Sequence, residues 1–324
     1  MRTSRLSLAL LLFGALSLGA AACGDDKDNK DSGGGGGAKD LSGKIAIDGS
    51  STVLPFAQAA AELFNEDNPD VKITVGSSGT GGGFEKFCAG ETDVSDASRP
   101  IKPDEEAPLC AKGGVKYQEV QVANDGIAVV TNKELAIDCL TIDQLKMLWD
   151  KGSKVKSYNE LDPKLPNTPA ELFGPGTDSG TFDFFTDKIN GEEGKSRSDY
   201  EPSEEDNVIV EGVSGSKGGL GYFGFSYYEQ NQDKLNLVGV GETATNCVKP
   251  SAQTIQDGSY APLSRPLFMY PSEKALRRPE VKAFMDFVLA NQGDITKAAQ
   301  VVSMTPSQAT LGEKALKEAE TKAG

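Results

Sequence analysis

The stretch Lys44-Ile45-Ala46-Ile47-Asp48-Gly49-Ser50-Ser51-Thr52-Val53-Leu54-Pro55 changes character twice. Residues 44–48 alternate apolar and polar, the pattern of a strand. Gly49 to Thr52 is a polar loop built from small hydroxyl side chains. Pro55 then opens a helix, where its missing N–H costs nothing. Ala57, Ala60, Ala61 and Phe64 follow at helical spacing, and Asn68-Pro69 ends the run. Two later stretches repeat this transition. Gly76-Ser77-Ser78-Gly79-Thr80-Gly81-Gly82-Gly83-Phe84 follows a strand over 71–75, and Gly174-Pro175-Gly176-Thr177-Asp178-Ser179-Gly180-Thr181-Phe182 precedes the spacing Phe182, Phe185, Ile189. A helix start has unpaired N–H groups and a partial positive charge, so it suits an anion. Three such starts converging would cage an oxyanion without many basic side chains.

Outward from these loops the same alternation continues. Residues 115–122, 126–131, 220–225, 235–240 and 266–270 read as strands. Phe84 and Phe87-Cys88 fit a short helix after the glycine run. Thr141-Ile142-Asp143-Gln144 is a capping-box pattern ahead of Leu145, Leu148 and Trp149. Pro279 opens an amphipathic helix through Val281, Phe284, Met285, Val288 and Leu289, closed by Gly293. Strands alternating with helices predict an α/β fold with mostly parallel sheets, binding ligand where strand ends face helix starts.

The ends of the chain set its compartment. Arg2 and Arg5, the apolar run Leu6–Leu18 and the small residues before Cys23 read as a signal peptide over 1–22. The run is short for a membrane span. Small residues directly before Cys23 resemble a bacterial lipobox, in which that cysteine carries the lipid. Residues 24–40 hold no large apolar side chain and read as a tether, so 23–41 is the anchored linker. The body that follows, about 280 residues, is long enough for two domains.

Composition removes several functions. The chain has no histidine, which excludes Ser-His-Asp and Cys-His catalysis and the usual zinc sites. A formal net charge of −15 argues against nucleic acid. No cofactor, metal or catalytic residue is expected. The only Gly-Lys-Ser is Gly194-Lys195-Ser196, and Ile189 stands where a Walker loop needs its first glycine. Asp93-Val94-Ser95-Asp96-Ala97-Ser98-Arg99-Pro100-Ile101 places two acids and an arginine at a strand end near the glycine loop, which favours function over a solvated turn.

Together these loops resemble the periplasmic phosphate-binding proteins that feed phosphate ABC transporters. The motifs are 48–55, 76–84, 93–101, 173–185 and 219–228, and they span about residues 42–310. The resemblance implies a type II binding-protein fold, two α/β domains joined by two crossings near Val122-Ala123 and Ser264-Arg265. Domain I would be 42–123 plus 265–324 and domain II 124–264. It implies phosphate held by Ser51, Thr52, Val53, Ser77 or Ser78, Asp96, Ser179, Gly180 and Thr181. Many members place an arginine four residues before the matching serine. Pro175 stands there in this chain, and Arg99 is the expected substitute. The implied role is a monomeric receptor, anchored outside the cytoplasm, that delivers phosphate to an ABC permease. A secreted phosphatase is the alternative. Four cysteines remain after Cys23, and sequence allows three pairings. Cys88–Cys110 and Cys139–Cys247 are expected, one bracing the 93–101 loop and the other tying the ends of domain II.

Overall fold

Strand β1 (Gly43–Gly49) pairs in parallel with β2 (Val71–Ser77) on one side and β3 (Val94–Ala97) on the other. Helix α1 (Leu54–Asp67) joins β1 to β2, and α2 (Gly79–Cys88) joins β2 to β3. The computed structural model describes residues 41–177 and 179–323. The signal peptide, Cys23, most of the tether and Asp178 lie outside the described residues.

Helix α3 (Glu106–Gly113) precedes the long strand β4 (Val120–Asn132). Then come β5 (Cys139–Thr141), α4 (Ile142–Trp149), β6 (Glu171–Pro175) and α5 (Gly180–Phe185). A π-helical turn, Thr186–Asn190, extends α5. Next are β7 (Glu201–Ser203), α6 (Asp206–Gly215), β8 (Gly219–Gly224), α7 (Phe225–Gln230) and β9 (Leu235–Gly241). The chain continues through α8 (Ala252–Gln256), β10 (Ser264–Pro271), α9 (Pro279–Ala290), α10 (Gln292–Ala298) and α11 (Pro306–Ala323).

The strands run in the order β2-β1-β3-β10-β4-β8-β6-β7, with β9 pairing both β4 and β5. The sheet is mixed rather than mostly parallel. Strands β4 and β10 run against every neighbour they have. The separate strands read at 115–122 and 126–131 merge into one, β4, which begins at Val120 and leaves 115–119 outside it. Asn124 and Asp125 looked like a break, but both are buried with partners. The Asn124 Nδ2 donates to the Ser303 carbonyl at 3.1 Å, and Asp125 pairs with Arg265 at 3.2 Å. A buried polar group that is paired need not interrupt a strand.

Two large apolar clusters flank this strand pair. One gathers Ile45, Phe56, Val94, Val122, Leu267 and Phe284. The other gathers Ile127, Val129, Trp149, Phe185, Tyr222 and Leu263. Strand β4 feeds both, through Val120, Val122 and Ala123 at one end and Ile127 to Val130 at the other.

Local signals held where the chemistry is local. The Gln144 N–H donates to the Thr141 hydroxyl at 3.1 Å, and the Thr141 N–H donates to the Gln144 side chain at 2.8 Å, completing the capping box. The end of α9 differs from expectation. Asn291 caps it, its amide donating to the Phe287 carbonyl at 2.9 Å, and Gly293 lies inside α10. Both expected disulfides are present, Cys88–Cys110 and Cys139–Cys247.

Candidate functional site

The first loop is a tight turn at the end of β1. The Val53 and Leu54 N–H groups both donate to the Ser50 carbonyl, at 3.1 and 3.0 Å. The Ser50 N–H donates to the Asp96 carbonyl at 3.0 Å, fixing the loop to β3. Val53 is fully buried and its N–H is spent in the turn, whereas Ser51 and Thr52 are half-buried.

The third loop meets the first. A Cβ at Gly180 would stand 2.5 Å from both the Ser51 and Thr52 hydroxyl oxygens. Only glycine allows that approach. Ser179 caps the following helix, its hydroxyl accepting from the Thr181 N–H at 3.2 Å.

The second loop becomes helical sooner than its glycines suggest, since α2 starts at Gly79. The reason is again close approach: a Cβ at Gly83 would lie 2.5 Å from the Gly49 Cα. Ser77 pairs with Gly49 at the end of β2, while Ser78 turns into the cavity wall. The Ser78 hydroxyl donates to Asp48, which Lys86 also contacts at 2.8 Å.

Val94–Ala97 form strand β3 rather than a turn, and Asp96 is fully buried within it. Neither Asp96 carboxylate oxygen has a hydrogen-bond partner among the described residues. Burial, with Asp48 nearby, holds its pKa well above the ordinary carboxylate range. Arg99 does not reach Asp96. Its guanidinium grips Glu106 with two hydrogen bonds, 2.8 and 2.6 Å, and the Lys102 N–H reinforces Glu106 at 2.8 Å. Burial alone would raise the Glu106 carboxyl, but these bonds bring it below its usual value.

Arg265 and Asp125 lie outside the quoted motifs, yet as a pair they reach the same loops. Arg265 sits at the start of β10, its side chain only 10% exposed. Its Nε donates to Asp125 at 3.2 Å, and its Nη2 donates to the Thr52 hydroxyl and to the Gly180 carbonyl. Its guanidinium carbon lies 3.7 Å from the Phe184 ring centroid. Their signal was hydrophobic context: a charge at 125 and one at 265, each inside a buried strand, must find each other.

A cavity of about 540 Å³ collects Ser50, Ser51, Thr52, Ser78, Arg99 and Arg265. A second, of about 380 Å³, opens on the other side of Ser51 and Thr52, against Ser179, Gly180, Thr181 and Asp125. A larger one of about 770 Å³ lies elsewhere, against Phe87, Lys116 and Arg277, and shares no residue with the three loops at 49–55, 76–84 and 174–182. Chemistry rather than volume assigns the site. Asp183 lines the first cavity with its pKa pushed up to about 6 by burial and Glu193, against the pull of Arg265.

Hydroxyls and an oriented guanidinium gather where strands end, beside the strand that buries Asp96, and this is the make-up of an anion-binding cleft. The chain belongs to the PBP superfamily, whose domain matches residues 34–292, and its fold is of the type II periplasmic binding protein class. Among its relatives is the phosphate-binding protein PstS of Staphylococcus saprophyticus, 42% identical over 299 residues, 90% of this chain and 89% of that one. Protein SphX of Synechococcus elongatus is 42% identical over 262 residues, 80% of this chain and 77% of that one. A crystal structure of a possible phosphate binding protein from Planctomyces limnophilus superposes with a TM-score of 0.80. It is 44% identical, covering 86% of this chain and 99% of that chain.

Proposed function

We propose that this protein is an extracytoplasmic receptor for inorganic phosphate that delivers its ligand to the permease of an ABC transporter. The observation that carries the reading is Asp96. It is a fully buried carboxylate with no hydrogen-bond partner among the described residues, hydrogen-bonded through its backbone to the hydroxyl-rich first loop. Phosphate near neutral pH still carries a proton, whereas sulfate has none. A buried carboxylate can accept that proton's hydrogen bond and repels an oxyanion that lacks one. Site and ligand then share a single proton, which agrees with the raised pKa of Asp96.

Ser51, Thr52, Ser78, Ser179, Gly180 and Thr181 line the two cavities beside the first loop and are the groups that would surround the ligand. Val53 and Ser77 shape the loops. Catalysis is not part of the reading. The chain has no histidine to activate a nucleophile, and the relatives are named as binding proteins. Two disulfides fit an exported chain. Lipid attached at Cys23 would hold the receptor at a membrane, which fatty-acid labelling of wild type against Cys23→Ser tests directly. The protein acts as a monomer.

The deciding measurement is a thermal-shift panel with phosphate, arsenate and sulfate. Phosphate at about 100 times its dissociation constant should add ~2.7 kcal/mol of stability, and sulfate almost nothing. A melting temperature indifferent to phosphate would sink the reading.

A further inference from the structure

A doubly charged ligand buried among hydroxyls alone loses its hydration without a compensating cation. Arg99, Arg265 and Lys188 line the cavity, and they are not equivalent. Lys188 is exposed and paired with its neighbour Asp187 at 2.8 Å. The guanidinium of Arg99 is committed to Glu106 through both of its terminal nitrogens, and a third of its side chain is in solvent. Pro175, at the position where the resemblance puts an arginine, is buried and has no charge to offer.

Arg265 has the opposite arrangement. Of the five N–H donors of a guanidinium, Nε goes to Asp125 and Nη2 to Thr52 and Gly180. Nη1 makes no hydrogen bond to any described residue, and Arg265 forms part of the cavity wall. The stacked Phe184 ring fixes the plane of the fork. Asp125, itself only 11% exposed, fixes its rotation. Thr52 belongs to the loop leading into the Val53 cluster, and Phe184 belongs to the Trp149 cluster. One side chain therefore touches both sides of the cleft.

We propose that Arg265 is the cation of this anion site, offering Nη1 to a ligand oxygen, and that Asp125 is the positioning residue that aims it. The inference rests on the phosphate reading above and names a group that reading does not need. Guanidinium keeps its charge even when burial lowers its pKa, as it does here, so the site holds its positive charge at any physiological pH. The pair also has a second effect. Any ligand that draws Nη1 toward itself tightens a group already bonded to Thr52 and Gly180, so binding and cleft contact are coupled through one residue.

The test is calorimetric titration of phosphate into folded, full-length protein. Wild type, Arg265→Gln, Arg265→Lys, Arg99→Ala, Asp125→Asn and the Arg265→Gln/Asp125→Asn double variant are compared. Arg265→Gln keeps a stem over Phe184 and a donor near Thr52 but loses the charge. It should weaken phosphate binding ~10–100-fold, the scale of one charged hydrogen bond. Arg265→Lys should recover part of that loss, because lysine restores charge without the fork. Arg99→Ala should cost less than Arg265→Gln. Asp125→Asn should weaken binding when Arg265 is present and add little when it is absent, a non-additivity that a merely structural role would not give. Melting curves without phosphate check that each variant is folded. If wild type binds phosphate and Arg265→Gln binds within twofold of it, Arg265 is only a clasp and the assignment falls. If wild type itself does not bind phosphate, the receptor reading and this inference fall together. Should Arg265→Gln not fold, Arg265→Lys decides: affinity equal to wild type would remove the guanidinium fork from the site.

Discussion

Asp96 shows how much one residue can carry. Its carboxylate is fully buried and its pKa is raised by burial and by Asp48. The unfolded chain ionises near its ordinary value of about 3.9, the folded chain well above it. The fold therefore loses stability as pH rises from that ordinary value toward the raised one, because ionisation is easier unfolded. Asp96→Asn removes this penalty. Without phosphate, its melting temperature should exceed wild type by a margin that grows between about pH 4 and neutrality. With phosphate the order should reverse, and discrimination against sulfate should shrink. A ligand-free difference that stays flat across pH would show that Asp96 is not ionising under strain. The motifs put forward Asp96, Thr52 and Ser179 from residue types in order alone. Arg265 was not legible in this way, because its partners Thr52 and Gly180 lie 213 and 85 residues away. A motif displays residue types in order; it does not display which strand a distant charge faces. The same limit explains Arg99, whose partner Glu106 lies just beyond the quoted motif.

Elements were easiest to read where their ends carry local chemistry. Pro55, Asn68 and the Thr141–Gln144 box each mark a boundary through a bond or ring within one turn. The glycine run at 79–83 misled in the other direction. Glycine lowers helix propensity by about 1 kcal/mol per residue, yet Gly79 to Gly83 are helical. Tertiary contact overrides propensity here, since α2 must pass within reach of the β1 end to deliver Ser78 and Thr80 to the cavity. Gly83→Ala isolates this cost. Its new methyl would stand 2.5 Å from the Gly49 Cα and 3.0 Å from the Asp48 carbonyl, both backbone and unable to swing away. The variant should lose ~1–3 kcal/mol by overpacking, and phosphate affinity should fall with it because the first loop is displaced. Gly79→Ala gives the contrast: its φ of +75° strains the backbone, but its Cβ meets nothing within 4 Å. Denaturant melts that rank Gly83→Ala as harmless would refute the close-approach account.

For the whole molecule, the organising fact is that β4 and β10 run side by side and that β4 joins the two large apolar clusters. Their register pairs Ser264 with Gly126 and Leu267 with Ala123. Residues 42–123 with 265–324, and residues 124–264, are proposed as two domains hinged on these strands. The two crossings were placed from the resemblance, and a single sequence could not have shown that they are neighbouring strands in one sheet. The expected ligand groups divide accordingly: Thr52, Ser78, Asp96 and Arg265 on one side, Ser179, Gly180 and Thr181 on the other. A ligand that touches both sides favours the arrangement in which they meet, by its differential contact with the two states. A closed form that is already dominant would give the ligand nothing to shift. The Gly180 approach and the Arg265 bonds to Thr52 and Gly180 join the two sides, and a hinge on these strands would open them unless a ligand reinforced them. The ligand-free protein should therefore sample open forms, and saturating phosphate should reduce its radius of gyration in small-angle scattering. Asp96→Asn, with weaker binding, should need more phosphate to reach the same compact state. Identical scattering curves with and without phosphate, from protein shown to bind it, would mean that the cleft is rigid and that the hinge plays no part in capture.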